Sequence, residues 1–173
     1  MKSSVKKTAL ILTASAVACF TLIGDAAADK KEQTYVKSNY RTVATSVLTV
    51  DQASKHVITQ DVVLSDIKVS NPAFQIKDEL TYGQSDTIDG SGTSRGYFID
   101  THDDGSRTYG TYQGTIKKSS KPDGSWEVVS EGTYQYVGGS GKYQNIKGSG
   151  TYKSKSSSQH PDEREEGRET VEY

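Results

Sequence analysis

Gly132-Thr133-Tyr134-Gln135-Tyr136-Val137-Gly138-Gly139-Ser140-Gly141-Lys142-Tyr143-Gln144-Asn145-Ile146-Lys147-Gly148-Ser149-Gly150-Thr151-Tyr152 begins and ends on the same tripeptide. A further copy, Gly110-Thr111-Tyr112, lies 22 residues before the first of these. Each copy sits in a segment of strand composition and places a glycine inside it. Glycine weakens a strand interior unless the sheet bends sharply or another backbone comes close. The recurrence therefore predicts a strongly coiled antiparallel sheet that closes on itself. The spacings of 22 and 18 residues are unequal, which argues against duplicated modules. They fit equivalent positions on neighbouring strands, with glycine relieving curvature and tyrosine covering the adjacent wall.

Strand signals extend upstream and helix signals are nearly absent. Residues 126–137 alternate, with Trp126, Val128, Ser130, Gly132, Tyr134 and Tyr136 on the expected inner face. Turns are expected at Asp51-Gln52-Ala53-Ser54, Asn71-Pro72, Asp103-Asp104-Gly105-Ser106 and Lys121-Pro122-Asp123-Gly124. Residues 55–69 read as one bent strand or two, residues 74–82 as another, and residues 83–95 as a long polar connection. Residues 143–146 read as a short strand before the last one at 148–155. The expected fold class is all-β: a small closed antiparallel barrel of about eight strands over residues 29–155.

The two ends read differently. Lys2, Lys6 and Lys7 precede an uncharged apolar and small-residue run at 8–24, and Ala26-Ala27-Ala28 offers a cleavage site. Residues 1–28 are therefore expected to be a signal peptide, with the protein exported to a periplasm or secreted. The run is shorter than the ~20 residues a membrane span needs, so no span is expected in the mature chain. Cys19 is the only cysteine and lies inside this segment. The surrounding Ala16-Val17-Ala18 departs from a lipoprotein box, and the mature chain is expected to contain no disulfide. Residues 156–173 carry six acids and two arginines, with Val171 and Tyr173 as their apolar content. Composition predicts a disordered acidic tail there.

Residues 29–155 hold 16 Lys+Arg against 15 Asp+Glu. That balance gives no sign of nucleic acid or an anionic membrane as partner. Gly139-Ser140-Gly141-Lys142 lacks the first glycine, the Ser/Thr and the following helix of a phosphate loop. Asp100-Thr101-His102-Asp103-Asp104-Gly105 puts histidine at an oxygen-ligand position of a calcium loop, and Thr111 at that of the bidentate glutamate. His56, His102 and His160 are not at metal-ligand spacing, so neither a metal nor a cofactor is expected.

The turn Gly138-Gly139-Ser140-Gly141-Lys142-Tyr143 followed by Gly148-Ser149-Gly150-Thr151-Tyr152 resembles the C-terminal hairpin of the allene oxide cyclase barrel-like superfamily, which includes dirigent proteins. Residues 96–102 and 109–114 look like its exported bacterial branch, so the resemblance spans residues 95–155. It implies an eight-stranded barrel, often with an apolar cavity. It carries over none of the plant cyclase's catalytic positions.

Eleven tyrosines against three phenylalanines and one tryptophan suit a barrel wall that meets water on one side. Tyr82, Tyr97, Tyr112, Trp126 and Tyr134 are the candidate ligand-binding residues, for a small apolar or aromatic molecule. Asp78 alternates with Ile76 and Leu80 and is the one catalytic candidate, as a carboxyl facing an apolar interior. The leading expectation is a non-catalytic exported binder or an envelope structural protein, with an oligomer left open. The alternative is a cyclase or isomerase acting inside the barrel.

Overall fold

The computed structural model describes residues 30–161 and 164–173. The signal-peptide expectation, with Cys19, lies outside them. The described residues form eight strands: β1 (Lys31–Asp51), β2 (His56–Val69), β3 (Ile76–Ile88), β4 (Ser91–His102), β5 (Arg107–Ser120), β6 (Trp126–Gly139), β7 (Lys147–Ser157) and β8 (Arg164–Glu172). Each strand pairs antiparallel with the next, and β8 pairs with β1 to close the barrel. No helix among the described residues is long and apolar enough to cross a membrane.

Three expectations need correction. The acidic tail is not a solvated appendage, because residues 164–172 form the closing strand β8. Composition misled because β8 is held by two ladders of backbone hydrogen bonds, and its inward acids find partners inside the barrel. Residues 83–95 are not a loop: they belong to β3 and β4, joined by a tight Asp89-Gly90 turn with both residues at positive φ (48° and 79°). Such a turn matches the twist of the flanking strands. Residues 143–146, expected as a short strand, are instead the end of a 3-10 helix (Gly141–Tyr143) and a turn. Tyr143 is fully buried, so this connection supplies a core side chain.

The glycine pattern resolves into a cross-strand rule. Gly132 lies opposite Tyr152 while Tyr134 lies opposite Gly150 on β6 and β7. Gly96 lies opposite Tyr112 while Phe98 lies opposite Gly110 on β4 and β5. Tyr35 lies opposite Gly167 where β1 meets β8. Each ring lies across the glycine of its neighbour. A Cβ on Gly150 would stand 2.4 Å from the Tyr134 ring, and one on Gly110 would stand 2.0 Å from the Phe98 ring. The glycines are thus needed for close approach, and pairs of Gly-x-aromatic strands lock into each other.

The barrel has a closed floor and an open mouth. At the floor, the β2–β3 connection drives the fully buried Phe74 inward. Its ring meets His102, Tyr136, Tyr143 and Tyr173 with centroids 5.0 to 6.1 Å apart. Val69, Ile76, Ile146 and Val171 complete the packing. At the mouth, β1 bulges at Asn39 (φ 55°), which leaves the path of β8 behind. Among the described residues β1 pairs with β8 only over residues 31–37, and from Arg41 to Asp51 it pairs with β2 alone and is exposed.

Candidate functional site

A cavity of about 510 Å³ occupies the barrel above the aromatic floor. Its lining changes with height. Ser85, Ser94, Ile116, Val128 and Ser156 surround it toward the mouth, and Tyr112, Tyr134, Tyr152 and Phe98 form the middle. Among them stand charged and hydrogen-bonding groups that alternation places on the inner faces of β1, β3, β4 and β8.

Lys37 on β1 is the centre of the first group. Its ammonium reaches Glu79 of β3 at 2.8 Å and Glu165 of β8 at 2.9 Å. Burial opposes the charge on Lys37, but Glu165 and Glu79 outweigh it and hold the ammonium well above its ordinary pKa. Tyr35 donates to the same Glu165 at 3.0 Å, and Thr81 donates to Glu79 at 2.7 Å. Burial, the largest influence, pushes the Tyr35 hydroxyl up, so it remains a proton donor.

Glu169 of β8 is the centre of the second. It accepts Gln33 Nε2 at 2.6 Å on Oε1, and the hydroxyls of Tyr134 and Tyr136 at 2.8 and 2.9 Å on Oε2. Burial first, and then nearby acids, push both tyrosines up, Glu169 acting on Tyr134 and Asp100 with Glu169 on Tyr136. They stay protonated as donors, which is what a buried carboxylate requires.

Asp100 of β4 is the third. Its Oδ2 accepts the Thr108 hydroxyl at 2.8 Å, while its buried Oδ1 has no hydrogen-bond partner. Thr108 Oγ1 also lies 3.3 Å from His102 Nε2, and His102 Nδ1 lies 2.9 Å from the Gln75 carbonyl oxygen. Burial, then Glu79, push the Asp100 carboxyl well up, and burial pushes the His102 imidazole down. Both groups therefore favour their neutral forms.

The expected site residues separate. Tyr112 and Tyr134 line the cavity. Tyr82 and Tyr97 are cross-strand partners on the outer wall, 44% and 64% exposed, and do not line this cavity. Trp126 is half-buried at the start of β6 and does not line the cavity. Asp78 is displaced by a bulge between Ile76 and Asp78, which shifts the alternation by one residue. Glu79 thereby takes the inward place expected of Asp78. Lys37, Asp100, Glu165 and Glu169 were not among the sequence candidates. The signal for Asp100 is its alternation with Phe98 and His102, and that for Glu169 its alternation with Gly167 and Val171.

No group of three or more metal-ligating side chains gathers among the described residues. The Asp103–Ser106 segment is a hairpin turn in which Asp104 accepts both the backbone N–H and the hydroxyl of Ser106. No known family's sequence profile matches the chain, and none of the curated proteins compared with it matches.

Proposed function

We propose that this protein is an exported carrier or receptor of a small, partly apolar molecule held inside its barrel. The observation that carries this reading is the cavity of about 510 Å³, closed below by Phe74 and walled by tyrosines. That size lies within the range of small-molecule sites, which combine apolar walls with a few placed polar groups. The signal-like N-terminus supports export. The resemblance of residues 95–155 to allene oxide cyclase barrel-like proteins supports an interior ligand.

Native mass spectrometry of protein purified from its own cells tests this reading. The wild type should carry an added mass, and Ser130→Phe, which fills the cavity wall, should lack it while remaining folded. An absence of added mass in both, with no small molecule shifting the melting temperature, overturns it. Isomerisation inside the barrel is a second reading, favoured by the neutral Asp100 carboxyl beside Thr108 and His102. It requires turnover, and Asp100→Asn should abolish that turnover while leaving the fold intact.

A further inference from the structure

Five carboxyl groups line the cavity, those of Asp61, Glu79, Asp100, Glu165 and Glu169, against the single ammonium of Lys37. Lys37 is committed to two of them, Glu79 and Glu165. Asp61 lies toward the mouth, where it accepts the Thr45 hydroxyl at 2.6 Å. Asp100 and Glu169 have no ion pair among the described residues, although both are at least 95% buried. Glu169 has three hydrogen-bond donors, whereas Asp100 has one. Asp100 Oδ1 is a buried oxygen on the cavity wall without a partner. Buried polar atoms are rarely left so, and an exception asks for a missing group. With no cation beside it, burial holds the Asp100 carboxyl neutral; a positive charge brought to Oδ1 favours the ionised form, which then accepts from that cation.

Resting on the small-molecule reading above, we propose that the ligand is an organic cation, a protonated amine on an apolar ring-sized body, with its ammonium at Asp100 Oδ1. The charge imbalance favours a cation over an anion, which would meet five acids. The acids do not converge as metal ligands do, which favours an organic cation over a metal ion. Phe98, Tyr112 and Tyr152 supply apolar surface for the body, and the faces of such rings attract ammonium groups.

Isothermal titration of the full chain with tryptamine, 3-methylindole and indole-3-acetate separates charge from shape. Tryptamine should bind at least tenfold more tightly than 3-methylindole, a difference of about 1.4 kcal/mol, and indole-3-acetate should bind weakest. Asp100→Asn should remove the preference for tryptamine over 3-methylindole, with circular dichroism confirming the fold. Equal binding of tryptamine and 3-methylindole, or tighter binding of indole-3-acetate, overturns the cation and leaves the small-molecule reading standing. A tryptamine preference that survives Asp100→Asn overturns the assignment to Asp100. Binding of none of the three overturns the proposal, while the mass-spectrometric test still decides the broader reading. The wild-type ranking is decisive even should the variant fail to fold.

Discussion

The floor and the mouth of this barrel are built from the same strands on opposite principles. At the floor, Phe74, Tyr143 and Val171 have no exposed surface, and β8 is paired there with both β1 and β7. At the mouth, β1 runs on beyond β8 with one partner, and Val43, Val47 and Leu48 are 60 to 63% exposed. Between them lie the carboxyl groups, Lys37 and the tyrosine hydroxyls. A solid floor lets the wall above hold polar groups away from water, because the floor and the ladders carry the stability. The contrast teaches that closure and filling are separate acts: β8 closes the sheet onto β1 over residues 31–37, while the rings gathered around Phe74 fill only the floor.

Breaking the floor should have the largest effect. Phe74→Ala removes a fully buried ring that touches four other rings. Such a truncation costs about 3–5 kcal/mol. Urea unfolding should show that loss, and a cost below about 1 kcal/mol would mean that the floor is not the anchor described. Gly150→Ala comes next. The added methyl meets the Tyr134 ring at 2.4 Å and the Arg168 carbonyl oxygen at 2.5 Å. Overpacking of this kind costs about 1–3 kcal/mol. The change should cost less in a Tyr134→Ala background, since residues in contact are not additive. Strict additivity would deny the glycine–ring lock.

The middle layer predicts a pH dependence. Burial, then Glu79, raise the Asp100 carboxyl. The folded chain therefore keeps a proton that the unfolded chain loses above its ordinary carboxyl pKa of ~3.9. The folded state then binds more protons than the unfolded one, so this group lowers stability as pH rises through that window. Asp100→Asn keeps the shape without the ionisation. The variant should gain on the wild type as pH rises from 3 to 7, with little difference at pH 3. Paired urea titrations at the two pH values measure this, and a difference that does not change with pH would contradict it.

The division between floor and mouth also explains what could be read in the sequence. The Gly-x-aromatic strands were legible because their meaning is local: a glycine where a strand should not have one. The inner face of β6 was legible through the alternation of Gly132, Tyr134 and Tyr136. Asp78 was misplaced because a single bulge reverses the face of every residue after it, and a bulge leaves no mark on composition. β8 was missed because its acids looked like solvated charge. Their partners are Lys37 and Gln33 on β1 and two tyrosines on β6, more than 30 residues away in sequence. Only Gly167, placed opposite Tyr35 as the other glycines face their rings, carried the signal of a strand.

The smallest effect belongs to the mouth. Val47 is 60% exposed on the part of β1 that pairs with β2 alone. Val47→Lys removes little buried apolar surface and breaks no ladder bond, so stability should change by no more than about 0.5 kcal/mol. The one-sided pairing has its own signature. Over residues 35–37 both edges of β1 are paired, to β2 and to β8, whereas over residues 42–50 only the edge toward β2 is. Backbone N–H groups alternate between the two edges of a strand. Every second amide in residues 42–50 should therefore exchange with solvent almost unprotected, while those of residues 35–37 exchange slowly on both sides. Alternating protection in the first stretch and continuous protection in the second would sharpen the contrast between mouth and floor. Uniform protection along all of β1 would mean that another segment covers its free edge.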